Sequence, residues 1–393
     1  MQKRIPYSCQ DIDEHDIEAV VESLRSALLT QGPQIAAFEG MAASYAGAPH
    51  AVAVSNGTAA LHIACQALGL GAGGLLWTSP NSFVASANAG LYLGADVDFV
   101  DISQVTGSIA PEALEEKLSR AATLNRLPDI VMAVHFAGHT HEFSKIAELC
   151  GSYGIKLVED ASHAFGAMYE GSPKRKVGAH PASDATVFSF HPVKSMTTGE
   201  GGMIMTRHAT LAASMRSLRS HGITKDSSKY CFADEETGAW YYEQQQLGYN
   251  YRITDFQAAL GMSQLGRLDD FMARRRSRAA RYRQLLQDLP LNLPPASEVS
   301  SWHLYVVRIG AARTAVSRKS LFDRLRSSGI EAHVHYIPIH LQPYYRDRGF
   351  SRGDFPNAEE YYNHALSLPI FPQMTDDQQD YIVDILRQSL GNA

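Results

Sequence analysis

The sequence lacks the features that mark secreted, membrane-spanning and nucleic-acid-binding proteins. It has four cysteines in 393 residues, at positions 9, 65, 150 and 231, and no two of them form a CxxC pair, which favours a reduced compartment. The apolar runs are too short to cross a bilayer, and the N-terminal MQKRIPYSCQDIDEHD has no apolar stretch of signal-peptide length. The net charge of −6 offers no basic surface to nucleic acid. We expect a cytoplasmic protein without a membrane or nucleic-acid partner.

The sequence also gives little support to the common nucleotide-phosphate loops. GxxxxGK[ST] does not occur. GLGAGG (69–74) has the spacing GxGxxG, but the dinucleotide-binding motif follows a strand and opens a helix. Here a helical pattern precedes the glycines and a strand pattern follows them. We therefore interpret this segment as a helix-to-strand turn.

Strand and helix patterns alternate through the first two-thirds of the chain. The strand patterns are nearly continuous apolar runs, as is typical of strands covered on both faces. They are AVAVS (51–55), LLWTS (75–79), VDFVD (97–101), DIVMAV (129–134), IKLVED (155–160), ATVFSF (185–190) and GMIMT (202–206). Helical patterns between them cover 58–68, 83–93, 111–120 and 142–153. This order predicts an α/β fold with a mostly parallel seven-stranded sheet flanked by helices, and antiparallel pairing for the last two strands, which have no helix between them.

The pattern changes after residue 254. Residues 255–289 read as one long helix, and PLNLPP (290–295) interrupts it. Strand patterns at 302–309 and 330–339 and helical patterns at 316–329 and 376–390 follow. The sequence thus predicts a large domain over residues 1–270, including an N-terminal arm, and a small C-terminal α/β domain over residues 271–393.

Two histidine-rich segments raise the question of a metal site. HFAGHTH (135–141) and HVHYIPIH (333–340) contain neither HExxH nor the spacing of a zinc finger. No cysteine or carboxylate completes a ligand set in either segment. We therefore predict no metal site.

Three separate positions carry residues suited to chemistry. SNGT (55–58) joins a strand to a helix, where free N–H groups favour a phosphate, although a plain helix cap is equally compatible. Asp160 ends an apolar strand, at the sheet end where ligands of open α/β sheets bind; a helix-capping role is the alternative. Lys194, in SFHPVKSMTTGEGGMIM (189–205), is either a snorkelling surface lysine or a nucleophile sheltered from water.

Taken together, these positions suit pyridoxal 5'-phosphate. The cofactor has a phosphate, a ring nitrogen that works best protonated, an aromatic face and an aldehyde, and these call for an N–H cradle, an acid, a stacking ring and a lysine. Phe83, which follows PNS at the start of a helical pattern, is the candidate for the stacking ring. A core phenylalanine is the alternative interpretation.

In this order, the motifs resemble those of the DegT/DnrJ/StrS-type nucleotide-sugar aminotransferases. They are LTQGP (29–33), SNGTAAL (55–61), EDASHAFGA (159–167), SFHPVKSMTTGEGG (189–202), GYNYRITDFQAA (248–259) and HVHYIPIH (333–340). The resemblance covers nearly the whole chain. It implies the fold-type I architecture of aspartate aminotransferase and dependence on pyridoxal 5'-phosphate. One departure is GAGGLLW (71–77), where relatives carry an acidic residue before the strand; we interpret it as a surface turn.

The resemblance implies roles for residues around the cofactor ring. Lys194 matches the Schiff-base lysine, and Asp160 matches the partner of the pyridine nitrogen. Phe83 matches the stacking ring. His163 matches a residue close to the ring and its hydroxyl group.

The resemblance also implies how the phosphate and the substrate are held. Gly57, Thr58 and Ser189 match phosphate contacts, and Asn250 matches a phosphate ligand from the neighbouring subunit, so that the active unit is a homodimer. Three further positions match residues near the nucleotide-sugar: Tyr7, His221 and Tyr336.

Within the family, IPYSCQDIDEHDIEAVVESL (5–24) and PNSFVASANA (80–89) resemble the subgroup of pseudaminic acid biosynthesis. That resemblance implies transfer of an amino group from L-glutamate, which leaves as 2-oxoglutarate, to C4 of a UDP-linked 4-keto-6-deoxy-N-acetylhexosamine. Three alternatives stay open: another keto-sugar acceptor, of the perosamine, aminoarabinose or bacillosamine type; a C3 dehydratase, disfavoured because such relatives carry His at the position of Lys194; and a cofactor-binding regulator without turnover.

Overall fold

The computed structural model describes residues 4–171, 175–232, 238–310, 312 and 314–391. The helices in these ranges are α1 (Glu14–Arg25), α2 (Pro33–Ala46), α3 (Gly57–Ala67), α4 (Ala85–Leu91), α5 (Pro111–Thr123), α6 (Phe143–Ser152), α7 (Ala209–Leu218), α8 (Asp255–Gly266), α9 (Leu268–Leu286), α10 (Arg318–Ser327), α11 (Pro343–Arg346), α12 (Pro356–His364) and α13 (Asp376–Leu390). The strands are β1 (His50–Val54), β2 (Leu75–Thr78), β3 (Asp96–Phe99), β4 (Ile130–Val134), β5 (Lys156–Asp160), β6 (Ala185–Ser189), β7 (Gly202–Thr206), β8 (Ile223–Thr224), β9 (Glu243–Gln244), β10 (Leu291–Asn292), β11 (Tyr305–Ile309) and β12 (Ala365–Leu368).

The first seven strands form one sheet in the order β1-β7-β6-β5-β4-β2-β3. The pairs among β2 to β6 are parallel, whereas β7 pairs antiparallel with both β6 and β1. The predicted mostly parallel α/β sheet is therefore confirmed, and so is the antiparallel pairing of the last two strands. β7 lies inside the sheet, however, because β1 pairs with its free edge.

Alternate residues of the sheet pack against two different helical layers. Leu157, Val131 and Met203 belong to the buried cluster that contains α2, α5, α6 and α8. Val158 and Ile204, their neighbours in sequence, belong to the cluster with α3, α4 and α7. Because successive side chains of a strand point to opposite faces, nearly continuous apolar runs are what a sheet covered on both faces requires.

The register brings the carboxyl ends of the central strands to one edge of the sheet. Val134, the last residue of β4, pairs with Asp160, the last residue of β5. Asp160 in turn pairs with Val187 of β6. Asp160 and the segment that follows β6 are thus neighbours, although more than twenty residues separate them in the chain.

A second, three-stranded sheet lies towards the C-terminus. β11 pairs antiparallel with both β10 and β12, and these strands share a buried cluster with residues of α9, α10 and α13. Ile5 of the N-terminal segment joins the same cluster, and it forms an isolated bridge with Ile330. The strand predicted at 302–309 is confirmed over 305–309, and the helix predicted at 376–390 has those bounds.

Two predictions for the C-terminal third are wrong. The segment 330–339 is not a strand: it forms only isolated bridges, such as His333 with Ser367. Its contact with β12 is limited to His333 and Ser367, which exchange backbone hydrogen bonds. Further along, the backbone N–H of Tyr336 donates to the side chain of Asn81, in a loop of the large sheet. The long helix predicted over 255–289 is also interrupted, between α8 and α9.

The interruption lies at Arg267, whose φ of −107° and ψ of 0° depart from helical values. Its guanidinium forms ion pairs with three acidic groups of the N-terminal segment, Asp11, Asp13 and Asp16. The preceding Gly266 is a weak helix former. The side chain that ends α8 thus fastens the N-terminal segment to it, a contact that helical periodicity does not reveal.

GLGAGG forms the predicted helix-to-strand turn. It lies between α3 and β2, and Gly69 has a φ of +87°, a conformation that glycine adopts without a steric cost. Gly74 donates to the carbonyl of Gly71. Within the described ranges, none of the helices combines the length and apolar character of a membrane span.

Candidate active site

A cavity of about 910 Å³ opens at the carboxyl ends of β4, β5 and β6. Nine of the eleven residues that the sequence assigns to the site line it: Tyr7, Gly57, Thr58, Phe83, Asp160, His163, Ser189, Lys194 and Tyr336. They come from six segments of the chain. The fold therefore brings together what the sequence presents as separate motifs.

The loop between β6 and β7 carries Lys194. Phe190 donates its backbone N–H to Gly201 and accepts from that of Thr198, so the loop is closed at its base. Ser8 of the N-terminal segment donates to the carbonyl of Val193. The lysine therefore lies on a loop held at both its base and its tip.

The Lys194 side chain is half-buried in the cavity wall. Burial lowers the pKa of its amine from the usual 10.5 to about 8, and the charge of Asp160 opposes this shift. A pKa near 8 leaves a substantial fraction of the amine neutral at physiological pH, and the neutral form is the nucleophile. This geometry does not fit a snorkelling lysine, whose ammonium would lie in bulk water.

Asp160 is buried, with 6% of its surface exposed, and faces the cavity. Its Oδ2 accepts a hydrogen bond from the Ser86 hydroxyl at 2.6 Å, and its Oδ1 accepts from the backbone N–H of Ser162 at 3.1 Å. The carboxylate caps no helix of the described residues. Two donors leave lone pairs free for a group in the cavity.

The start of α3 forms one end of the cavity. Asn56 caps the helix by accepting from the N–H of Ala59 at 2.8 Å. The N–H groups of Gly57 and Thr58 precede the first backbone donor of the helix, Ala60, which bonds to the carbonyl of Asn56, and they stay available. A Cβ on Gly57 would lie 3.0 Å from the Cβ of Ser189, so a larger residue would push Ser189 away by a few tenths of an ångström. The helix cap therefore leaves two backbone N–H groups free at the same helix start.

Phe83 is no core residue. Its side chain is 60% exposed and lies on the cavity wall. Its ring centroid is 6.5 Å from that of Tyr336. An exposed ring at the mouth of a cavity is costly in water and suits the face of an aromatic ligand.

A group of aromatic side chains covers the wall beside Asp160. His163 Nε2 lies 3.2 Å from the Tyr336 hydroxyl, and the two rings are stacked with an interplanar angle of 15°. The ring of His303 packs 4.3 Å from that of His163. Burial lowers the pKa of His163 and of His303 well below the usual value, and the nearby charge of Lys194 lowers both further. Both imidazoles are therefore neutral, and a ring nitrogen without a proton can accept a hydrogen bond.

His221 and Asn250 lie outside the cavity of this chain. They are close to each other: Ser220 bridges to Asn250, and His221 donates its backbone N–H to Tyr249. Both side chains are exposed. The expected roles of these two residues remain predictions.

Sequence reasoning missed several residues of the site, among them Ser82, Ser86 and His335. Ser82 and His335 line the cavity, and Ser86 is fully buried behind Asp160. The two serines lie in PNSFVASANA, four positions apart, a spacing that brings side chains together at the start of a helix. The paired hydroxyls were thus a usable signal, whereas nothing in the sequence distinguishes His335 from the other histidines of its segment.

The cavity fits pyridoxal 5'-phosphate. His163 Nδ1 is buried and has no hydrogen-bond partner among the described residues, as expected for a group that faces a polar ligand. The cradle at Gly57, the carboxylate of Asp160 and the amine of Lys194 border the same space. Within the described ranges, no group of three or more His, Cys, Asp or Glu residues is arranged to hold a metal ion.

Residues 10–387 match the model of the DegT/DnrJ/EryC1/StrS aminotransferase family. The chain belongs to this family. It is a pyridoxal-phosphate-dependent sugar aminotransferase, and it takes a sugar substrate and an amino donor.

Individual relatives cover the whole chain. The spore coat polysaccharide biosynthesis protein SpsC of Bacillus subtilis is 38% identical and is matched over 100% of both chains. The structure of Helicobacter pylori PseC, an aminotransferase involved in the biosynthesis of pseudoaminic acid, is 30% identical, with a TM-score of 0.89 over 100% of both chains. The PLP form of Spr1654 from Streptococcus pneumoniae is 26% identical, with a TM-score of 0.86 over 98% of both chains.

Proposed function

We propose that this enzyme transfers the amino group of L-glutamate to C4 of a UDP-linked 4-keto-6-deoxy-N-acetylhexosamine. The product is UDP-4-amino-4,6-dideoxy-N-acetyl-β-L-altrosamine, an intermediate of pseudaminic acid biosynthesis. The observation that carries this proposal is the similarity to PseC over the full length of both chains. We place the reaction in the cytoplasm, where nucleotide-sugars are available.

We assign a different role in the reaction to each group of residues that lines the cavity. Pyridoxal 5'-phosphate, when bound, supplies an aldehyde that takes up amines and a ring that accepts electrons. Gly57, Thr58 and Ser189 would hold its phosphate, and Phe83 would cover one face of its ring. Asp160 would hold the proton of the ring nitrogen by providing a negative charge beside it.

Lys194 would act twice. Its neutral amine is the nucleophile that binds the cofactor covalently, and burial keeps enough of it neutral at physiological pH. As a free amine, the Lys194 Nζ would also be the general base and acid that takes a proton from the substrate carbon and gives it back later in the reaction. His163, neutral and without a partner at Nδ1, would accept a hydrogen bond beside the same carbon.

The remaining wall residues would face the sugar. Tyr7 and Tyr336 border the cavity on the side of the C-terminal segment, and the Tyr336 hydroxyl is held by His163. Because this wall comes from residues beyond 330 and from the N-terminal arm, we propose that the domain division at residue 270 runs beside the substrate.

We propose a homodimer in which Asn250 of one subunit completes the phosphate site of the other. Asn250 lies outside the cavity of its own chain. The preceding segment exposes large apolar side chains, among them Phe232 at 86%, Trp240 at 78% and Leu247 at 75%. Apolar groups so exposed within one short stretch of the sequence support an interface. His221, which lies beside Asn250, would then also contact the partner's substrate.

Mixed dimers test this arrangement. Subunits with Lys194→Ala and subunits with Asn250→Ala are each expected to be inactive alone. In a mixed dimer, one of the two sites would receive both intact residues, so mixing should restore activity. A mixture as inactive as its components would contradict the shared site.

A panel of acceptors tests the substrate. Purified enzyme with glutamate should aminate the UDP-linked 4-keto-6-deoxy-N-acetylhexosamine in preference to UDP- and dTDP-linked 4-keto sugars without an acetamido group. Product mass and the configuration at the new stereocentre report the outcome. A preference for a non-acetamido acceptor would overturn the substrate and leave the transaminase chemistry standing. Absence of turnover with every acceptor would favour a regulator.

One observation favours a second candidate. SpsC is more similar in sequence than PseC, at 38% against 30% identity, and its name assigns it to spore coat polysaccharide biosynthesis. The alternative is therefore amination of a different nucleotide-linked keto-sugar used for a polysaccharide. The same acceptor panel separates the two.

A further inference from the structure

The two buried serines behind Asp160 form a chain of hydrogen bonds that leads back to the cavity. Ser86 Oγ is 2.6 Å from Asp160 Oδ2, and Ser82 Oγ is 2.7 Å from Ser86 Oγ. Ser86 is 0% exposed and Ser82 is 4% exposed. Ser82 and Asp160 both line the cavity, so the chain starts and ends at its wall.

The direction of these bonds follows from the number of protons. A carboxylate accepts only, so the single hydroxyl proton of Ser86 is donated to Asp160. Ser86 therefore accepts a hydrogen bond from the hydroxyl of Ser82. Hydrogen bonds in series polarise one another, and a donor to a carboxylate favours its ionised form. The arrangement fixes the orientation of the Asp160 carboxylate, because Ser86 donates to one of its oxygens and the N–H of Ser162 donates to the other.

The segment that carries the serines is itself held firmly. Asn81 donates its side-chain amide to the carbonyl of Gly107 at 2.9 Å and accepts from the N–H of Tyr336 at 3.2 Å. The carbonyl of Pro80 accepts from Ile339. A hydroxyl on such a fixed loop can orient a carboxylate more closely than one on a mobile loop.

We propose that Ser86 is a positioning residue, which sets the orientation and charge of Asp160 towards the ring nitrogen of the cofactor, with Ser82 as its own donor. The proposal rests on the proposed role of Asp160. It predicts that the Ser86 hydroxyl controls how firmly the ring nitrogen keeps its proton, without touching the cofactor.

The test uses holoenzyme loaded with pyridoxal 5'-phosphate labelled with 15N in the ring. Solid-state NMR separates protonated from unprotonated ring nitrogen, and equilibrium dialysis gives the dissociation constant of the cofactor. Ser86→Ala should move the 15N resonance towards the unprotonated position and weaken cofactor binding about 10-fold. Ser86→Thr keeps the hydroxyl and should restore the wild-type resonance.

The matched control is Ser183→Ala. Ser183 is also a buried serine, and it donates to the carboxylate of Glu159, the residue before Asp160. This variant also removes one donor from a buried carboxylate, but it should leave the 15N resonance and the cofactor affinity unchanged. Equal effects of Ser86→Ala and Ser183→Ala would reduce Ser86 to a structural role.

Two further variants keep the result unambiguous. Asp160→Asn should move the 15N resonance further than Ser86→Ala does. If Asp160→Asn leaves the resonance unchanged, the proposed role of Asp160 is wrong, whatever the result for Ser86→Ala. If Asp160→Asn moves it and Ser86→Ala does not, the inference about Ser86 alone fails. Should Ser86→Ala not fold, Ser82→Ala serves instead, with a smaller shift in the same direction, and an unchanged spectrum would overturn the chain of donors.

Discussion

Glu159 and Asp160 are neighbours in sequence, yet their carboxylates lie in two different environments. Asp160 faces the cavity and accepts from Ser86 and from a backbone N–H. Glu159 is 0% exposed and points to the opposite side of β5. It is surrounded by four side-chain donors: His135, Tyr169, Ser183 and Thr186.

The difference lies in how completely each anion is satisfied. Burial disfavours the charge of Glu159, but the hydrogen bond from His135 at 2.5 Å and those of the hydroxyls more than offset it, so its pKa is lowered. No space remains for a ligand. Asp160 keeps lone pairs and open space. One strand end therefore provides a structural acid on one face and an acid available for chemistry on the other.

The largest expected effect comes from the cavity side. Lys194→Ala should lower turnover about 10,000-fold, because one residue supplies both the nucleophile and the proton carrier, while the fold stays intact. Borohydride reduction of the wild type followed by peptide mass spectrometry should find the pyridoxyl group on Lys194. Lys145→Ala, at an exposed position on α6, is the control and should match the wild type. Labelling at another lysine would remove Lys194 from the mechanism.

Asp160→Asn should have the next largest effect. It removes the charge beside the ring nitrogen and keeps the shape, so turnover should fall about 1,000-fold with little change in melting temperature. Calorimetry and a transamination assay on the same sample check both parts. If Asp160→Asn lost stability and kept its turnover, Asp160 would be the structural acid, contrary to our assignment.

A smaller effect concerns the pH dependence of Lys194. Only the neutral amine reacts, and a pKa of about 8 instead of 10.5 leaves about 300 times more of it at pH 7. In cofactor-free enzyme, the rate of covalent attachment of pyridoxal 5'-phosphate should therefore rise with pH and level off above about pH 8. Because the Asp160 charge raises this pKa, Asp160→Asn should move the inflection to lower pH. An inflection that stays in place would mean that the two groups do not interact.

Glu159→Gln should affect stability rather than chemistry. The amide cannot accept from all four donors, and an unsatisfied buried group costs about 2 kcal/mol. Chemical denaturation should show this loss, while the affinity for the cofactor stays near that of the wild type. The variant Tyr169→Phe removes a single donor to Glu159 and should lose less stability. Loss of cofactor binding in Glu159→Gln would show that the two faces of β5 are coupled.

The strands of the large sheet can be predicted from the sequence, but the directions in which Glu159 and Asp160 face cannot. Apolar runs predict the strands of the large sheet because both faces are buried, and they place Glu159 and Asp160 at a strand end. Which of the two faces the cavity depends on the pleat and on the register with β4 and β6, and the sequence alone left that assignment to family resemblance. The strand prediction for 330–339 was wrong because apolar and polar residues alternate there without pairing in a sheet. His335 and Tyr336 of this segment instead line the cavity.

The hydroxyl groups that donate hydrogen bonds to Glu159 and Asp160 cannot be predicted from the sequence either. Thr186 and Ser183 flank the start of β6 and reach Glu159 only through strand pairing, which no local pattern encodes. Ser86 reaches Asp160 across the sheet end in the same way. Residue types suited to chemistry can therefore be found in the sequence, whereas their orienting partners depend on contacts between distant segments.

The smallest expected effect concerns acid stability. The pKa of Glu159 is lowered in the folded protein relative to about 4.5 for an ordinary glutamate, so its contribution to the free energy of unfolding is fully present above pH 4.5 and is lost as the pH falls through the folded-state value. Denaturation midpoints measured from pH 7 downwards should converge for the wild type and Glu159→Gln below pH 4.5. There the wild type loses the stabilisation that comes from a charged Glu159 carboxylate, which the glutamine variant lacks at every pH. Curves that fall in parallel would show that other carboxylates control acid unfolding and that the donors around Glu159 favour its charged form no more than water does.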